Sequence, residues 1–189
     1  MNEPELVAAA RGGDRSAMAA LVARHAPAAQ RLALHLARNR ADAEDAVQSG
    51  FVKTFTHLDR FDPTRPFEPW LLRIVGNEVR KTRRDEGFHW RFWQAWRPEV
   101  EASESPESAV MVRLEHQALH RALGGLRHDD RMLITLAYFL DRSEADLAAT
   151  LGVPRGTVKS RKHNALRRLR KAMADADSQP ETEPEVTVR

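Results

Sequence analysis

The sequence predicts an all-α fold: two small helical domains joined by a linker, the second built around a helix-turn-helix. Three observations predict it. Apolar residues recur at helical spacing along most of the 189 residues, with no strong strand signal. An acidic, turn-rich stretch, PEVEASESP from Pro98 to Pro106, separates two such periodic regions. A short helical pattern, a glycine and a strongly basic helical pattern follow one another from Ser143 to Lys171, the order of a helix-turn-helix.

The elements follow in order. Leu6 to Ala10 is an apolar helical run, ended by Gly12 to Asp14. Ser16 fits an N-cap for a helix carrying Met18, Leu21 and Val22, and Pro27 interrupts that helix or opens the next. Leu32, Leu34, Leu36 and Ala37 extend the apolar surface, and a further pattern begins at Asp42. Val47, Phe51 and Phe55 then fall on one helical stripe. Pro63, Pro66 and Pro69 forbid one helix through Leu58 to Pro69. That stretch is expected to be a structured loop pinned by Phe61 and Phe67. From Trp70, the residues Leu71, Ile74, Val75 and Val79 make a buried face. Arg73, Asn77, Arg80, Lys81, Arg83 and Arg84 lie mostly off it, so this helix has a basic side.

Phe88 to Trp96 holds three of the four tryptophans. An aromatic cluster of that kind (Trp90, Phe92, Trp93, Trp96) packs within the chain or marks an interface. After the linker, Val110, Leu114, Ala118 and Leu119 to Leu126 make one helix, and Asp130 to Leu140 a second with Leu133, Leu136, Ala137 and Leu140 inward. Ser143 fits an N-cap, with Asp146 three residues on in a near-match to a capping box. Leu147, Ala148 and Leu151 form the inner face, Gly152 the bend, and Val153 the plug between helices. Pro154 opens the next helix, where a missing N–H costs nothing, and Val158, Ala165 and Leu169 continue its buried side. The expected boundaries are 5–97 for the first domain, 98–108 for the linker, 109–174 for the second domain and 175–189 for a disordered acidic tail.

Charge is sorted into blocks. The formal net charge is only +3, yet Arg155 to Lys171 carries eight Lys and Arg and no acid, while Asp175 to Arg189 carries five acids and one base. A basic helix after a tight turn is how a localised polyanion footprint looks. In a helix-turn-helix the second helix enters the major groove with its N-terminal residues at the base edges. Arg155, Thr157, Lys159 and Ser160 are therefore candidates for groove or phosphate contacts. Lys162, Arg167 and Arg168, farther along, suit DNA backbone contacts or clamps on another protein. The rigid helix from Trp70 can hold Arg73, Asn77, Arg80 and Lys81 against a nucleic-acid backbone, and the loop before it could form a pocket for an unstacked base.

Several function classes are excluded. There is no cysteine, hence no disulfide, thiolate metal site or cysteine nucleophile. His116 and His120 stand in HQALH, not HExxH, and no GxxxxGK[ST] occurs. Asp42, Glu44 and Asp45 have no nucleophile or metal signature beside them and suit docking and capping better than acid–base chemistry. The chain is expected to be no enzyme and to need neither cofactor nor metal. The N-terminal residues lack the layout of a signal peptide. No run of about 18 apolar residues exists, so no membrane insertion is expected.

Taken together, DAEDAVQSGFVKTF (Asp42 to Phe55), RFDPTRPFEPWLLRIVGNEVRKTRR (Arg60 to Arg84) and DLAATLGVPRGTVKSRKHNALRRLRK (Asp146 to Lys171) resemble a bacterial RNA polymerase sigma factor of the extracytoplasmic-function type. The resemblance spans about residues 5 to 173. It implies that the D-x-x-Q helix, with Asp45, Gln48 and neighbouring Phe51, docks on the β′ clamp helices of core RNA polymerase. It implies that the loop with Phe61, Arg65 and Phe67 and the helix with Arg73, Asn77, Arg80, Lys81, Arg83 and Arg84 read and melt the −10 element as single-stranded DNA. The helix-turn-helix, with Arg155, Gly156, Thr157, Lys159, Ser160, Arg161 and Lys162, is similar to the reader of the duplex −35 element, and its domain to the part that touches the β flap. The resemblance further implies an anti-sigma factor, a monomer in the holoenzyme, and a cytoplasmic place, at the nucleoid or held near the membrane by the anti-sigma factor. Three positions depart from the family pattern: Ser49 followed by Gly50 where an acid is usual, Leu126-Arg127 for Leu-Pro, and Asn164-Ala165 for Arg-Ala. The first bears on polymerase docking and the last on a DNA or flap contact. The alternative is a stand-alone helix-turn-helix regulator of duplex DNA, which has no need of the Asp45–Gln48 surface. A third class, a purely inhibitory protein, has no need of duplex binding with a steep salt slope.

Overall fold

A computed structural model describes residues 1–37, 39–82, 118–119 and 121–177. The expected linker, the aromatic cluster from Trp90 to Trp96, Arg83, Arg84, His116, His120 and the tail from residue 178 lie outside the described residues. Within them the secondary structure is helical, as the periodicity predicts.

α1 (Glu3–Arg11) is closed by a full capping box between Asn2 and Glu5. α2 (Arg15–Leu36) begins at Asp14, whose carboxylate accepts from the Ser16 and Ala17 amides. The cap is therefore Asp14 rather than Ser16, the stronger acceptor at a helix N-terminus. Pro27 neither interrupts nor starts a helix but sits inside α2. Pro27 and Ala23, whose carbonyl loses its donor, are both exposed, so the helix tolerates the proline on its solvent side. α3 (Arg40–Thr56) is capped by Asn39, two residues before the expected pattern. A 3-10 turn (Leu58–Arg60) leads into the proline loop.

α4 (Phe67–Thr82) starts three residues before Trp70 and takes Pro69 into its first turn, where no donor is required. Gly50 fixes how α3 crosses it. A Cβ on Gly50 would stand 2.6 Å from Val75 Cγ2 and 3.3 Å from Val75 Cα, so only glycine lets the two backbones approach. Leu21, Leu32, Leu36, Leu71, Val75 and Val79 form the core of this first unit.

The second unit comprises helical residues 121–125, α5 (His128–Ile134), α6 (Glu144–Leu151) and α7 (Arg155–Asp177). Its core is Leu133, Leu136, Leu147, Val158 and Ala165. The expected helix from Asp130 to Leu140 is not uniform. It widens into a π turn over Thr135–Phe139, and Asp141 takes a left-handed φ of 51°, a conformation a non-glycine residue adopts only where its surroundings enforce it. α7 runs through Asp177, past the expected start of the tail. The two units share one continuous apolar core: α6 packs on α4, and α5 and the π turn pack on α2.

Candidate nucleic-acid and polymerase interfaces

The helix-turn-helix is built by local signals. The Ser143 hydroxyl caps α6 by accepting from the Asp146 amide, and its side chain bonds the Asp146 carboxylate at 2.6 Å. Gly152 ends α6 at φ +64°, a left-handed position suited to glycine. Val158, Ala165 and Leu169 bury one stripe of α7. This turns Arg155, Gly156, Lys159, Ser160 and Arg161 outward, with Thr157 and Lys162 half-buried at the edge. Lys162 stands 3.8 Å from Glu144, a loose pair across the turn. Of the later cations, Arg168 grips Asp130 with two bonds of 3.0 and 2.9 Å. Its role is thus internal, in tying α7 to α5.

α4 presents Arg73, Asn77, Arg80 and Lys81 on its exposed side. Lys81 and Lys53 both bind Glu78, Lys81 at 2.9 Å. Burial pushes the Glu78 carboxyl up, but the two ammonium groups outweigh it and hold the carboxyl below its ordinary value. Hydrogen bonding within this cluster raises Lys81. Arg80 lies 3.8 Å from Asp129 of α5, and the Arg73 guanidinium rests against Gly152, at 2.6 Å from where a Cβ would be.

The loop before α4 is ordered as expected. Arg11 donates to the carbonyls of Leu58 and Phe61 at 3.0 and 2.6 Å. Asp62 accepts from the Thr64 hydroxyl and amide at 2.6 and 3.0 Å, and these bonds hold its carboxyl below the usual range, with Arg65 3.2 Å away adding to the effect. Phe61 and Phe67 are 5% and 1% exposed and meet edge to face at 5.6 Å. The structure therefore uses both rings as loop anchors within the core, and of the three loop candidates only Arg65 reaches solvent.

On α3, Asp45, Gln48 and Ser49 are exposed. Val52, one turn beyond Gln48, is an exposed apolar side chain at 59%. Phe51 faces the core and supports this surface from beneath. Arg127 caps α5 in an extended conformation, which a proline could also adopt, and pairs with Asp130 at 3.6 Å. Asn164 lies with Arg127, Arg161 and Arg168 around a crevice of about 510 Å³ on the second unit, which Arg80 of α4 also reaches. Among the described residues no group of three or more potential metal ligands is assembled, and no helix is long and apolar enough to cross a membrane.

Sequence reading missed three features. His25 is buried, with Nε2 2.7 Å from Glu3 and Nδ1 3.3 Å from Glu68. Arg131, 1% exposed, donates to the carbonyls of Gly124 and Leu126 at 2.7 and 3.0 Å. Glu78 organises the two lysines. The only available signal was a charged residue on an apolar helical face.

Residues 21–89 match the family model Sigma-70 region 2, and residues 116–169 match Sigma-70, region 4. The chain is 34% identical over 182 residues to RNA polymerase sigma factor CnrH of Cupriavidus metallidurans, covering 92% of this chain and 95% of that one. This chain belongs to the ECF sigma factors. It is also 32% identical over 165 residues to the ECF RNA polymerase sigma factor SigL of Mycobacterium tuberculosis, covering 87% and 93% of the two chains. Among solved structures it is similar to CnrH in complex with the cytosolic domain of CnrY, with a TM-score of 0.65 and 31% identity over 93% of this chain and 99% of that one. A second is the sigma factor RpoE in complex with the anti-sigma factor NepR from Bartonella quintana, with a TM-score of 0.57 and 27% identity over 81% and 94%. As a sigma factor the chain directs promoter-specific initiation by RNA polymerase and has no need of a catalytic centre of its own. Residues 21–89 carry its region 2, and residues 116–169, which include the helix-turn-helix, its region 4.

Proposed function

We propose that this sigma factor docks on core RNA polymerase through the outer face of α3, reads the −35 element with the start of α7, and reads the melted −10 element with α4 and the loop before it. The observation that carries this is the α3 face. Asp45 and Gln48 are exposed one helical turn apart, next to the exposed apolar Val52, a polar and apolar mixture suited to a protein partner. Duplex DNA would not select that face, since it offers no cation among those residues. Arg155, Gly156, Thr157, Lys159, Ser160, Arg161 and Lys162 form the −35 surface. Arg65, Arg73, Asn77, Arg80 and Lys81 form the −10 surface, continued by Arg83 and Arg84 along the sequence.

Linking two weak readers raises their joint affinity through effective concentration. The chain acts as a monomer on one polymerase, with region 4 also meeting the β flap. It works in the cytoplasm, at the nucleoid when active, and an anti-sigma factor holds it off the polymerase, near the membrane where that partner is itself anchored. The solved complexes of CnrH with the cytosolic domain of CnrY and of RpoE with the anti-sigma factor NepR support a protein partner of this kind.

The test is run-off transcription with bacterial core polymerase over a library of genomic promoter fragments. Start sites sharing two spaced motifs are expected. Gln48→Ala with Asp45→Ala should lose core binding while keeping duplex binding. Duplex binding with no core binding and no transcripts would instead indicate the stand-alone regulator.

A further inference from the structure

Glu78 lies among the buried positions of α4, with Leu71, Leu72, Val75 and Val79, and is 8% exposed. A carboxylate in that place needs partners, and it has two. Lys81, one turn on, donates to one carboxylate oxygen at 2.9 Å, and Lys53, reaching over from α3, donates to the other. Burial raises the Glu78 carboxyl, but the two lysines outweigh it, so the group is ionised at neutral pH.

Packing alone does not call for this arrangement. The α3–α4 crossing is already set by the close approach of Gly50 to Val75, and one lysine would neutralise one carboxylate. The second leaves the cluster with a net positive charge. Lys53 and Lys81 keep 40% and 62% of their side-chain surface in solvent, against 10% for Glu78. An ammonium has three N–H donors. Each lysine spends one on Glu78, so donors remain on both for an outside anion.

A lysine stem loses rotamer freedom when a ligand pins it. Here the fold itself holds the two stems, so less freedom is left to lose on binding. The carboxylate also offsets the repulsion between the two ammonium groups. A pair of cations set one carboxylate apart suits the oxygens of a phosphodiester.

The pair lies at the edge of the −10 surface. Lys81 stands one turn from the exposed Asn77 on α4, and Lys53 follows the exposed Val52 on α3. Lys53 thereby carries the basic surface of α4 across to the docking helix. Helical patterning places Lys53 with α3 alone, because its pairing with Glu78 joins positions 25 residues apart.

We propose that Glu78 is a positioning residue for promoter binding: it holds the Lys53 and Lys81 ammonium groups as one pre-set pair, spanning α3 and α4, that takes a backbone phosphate of the melted −10 strand. This rests on the reading of α4 as part of the −10 surface.

The test turns on a difference of sign. Glu78→Gln keeps the side chain's shape and adds one positive charge to the surface, so charge alone would tighten DNA binding. Positioning requires the opposite. Glu78→Asp keeps the charge and withdraws the carboxylate by one methylene, so any loss there is geometric. Each variant is combined with core polymerase and read by fluorescence anisotropy on a −10 non-template single strand and on a −35 duplex. Both variants should weaken the single strand about fivefold, from renewed freedom of the two stems, and leave the duplex unchanged. The loss should be the same on matched and mismatched strands, because phosphate contacts carry no sequence. In a Lys53→Met, Lys81→Met background, adding Glu78→Gln should change affinity by less than about twofold, since Glu78 acts through those lysines. A purely structural role would not give that dependence. Circular dichroism and urea unfolding identify any variant that fails to fold; if Glu78→Gln does, Glu78→Asp carries the test.

A folded Glu78→Gln that binds the single strand as tightly as the parent or more tightly, or variants that weaken duplex and single strand alike, would overturn the proposal. Core binding by the parent is measured first. A parent that does not bind core sinks the docking role above, and the same variants read on the free chain with an oligothymidylate strand then decide Glu78 separately.

Discussion

The two basic helices of this molecule are in opposite circumstances. On α7 the cations at the helix start, Arg155, Lys159 and Arg161, stand in solvent with the buried stripe turned away from them. On α4 the cations are engaged: Arg73 on Gly152, Arg80 near Asp129, Lys81 on Glu78. The two differ in partners rather than in exposure, since Arg80 and Lys81 keep 63% and 62% of their side-chain surface in solvent. The lesson is that exposure in a helical pattern does not equal availability, because a long arginine finds partners on a neighbouring unit.

The comparison can be broken most severely from the interface. Arg131→Ala removes a buried cation that satisfies three carbonyls and should cost about 3 kcal/mol, read in urea unfolding. Because it ties both units, it should also split the transition, with region 4 melting first. Gly50→Ala presses a methyl onto Val75 and should cost about 2 kcal/mol, but in region 2 alone. An equal loss of stability in both units would contradict a strain confined to the α3–α4 crossing.

Smaller changes sharpen the comparison. Lys159→Ala with Arg161→Ala should weaken duplex binding by the free chain about tenfold and lower the salt slope by about 2. Arg80→Ala in the free chain should leave both nearly unchanged. The smallest expected effect is in acid. Glu78 titrates below its ordinary value of 4.5, so its lysine cluster contributes stability above that pH and loses it as pH falls through the depressed value. Glu78→Gln should flatten the acid limb of a Tm-against-pH curve without altering the neutral limb's shape.

Much of the fold was legible because its signals are local. Ser143, Gly152 and the Val158–Leu169 stripe write the helix-turn-helix within thirty residues, and the three prolines mark the loop before α4. Phe61 and Phe67 were rightly expected to pin that loop, and the same burial takes their rings away from solvent. Pro27 misled, since a proline reads as a break whichever side of the helix it faces. His25 and Arg131 could not be read, because their partners lie far along the chain: Glu68 is 43 residues from His25, and Leu36 is 95 from Arg131. Gly50 stood out in the sequence only as a departure from the family pattern, whereas its cause is the crossing of α3 over α4. The packing of one unit on the other was the largest omission. A linker in a sequence predicts two bodies and says nothing of how they meet.

The most direct test is fluorescence anisotropy of the chain bound to core polymerase on two oligonucleotides taken from start sites mapped by run-off transcription. One is the −35 duplex and the other the −10 non-template single strand, each measured with the parent chain, with Lys159→Ala plus Arg161→Ala, and with Glu78→Gln. The account predicts a crossed pattern: the α7 pair loses duplex affinity and keeps the single strand, while Glu78→Gln loses the single strand and keeps the duplex. Equal losses on both oligonucleotides for either variant would contradict it.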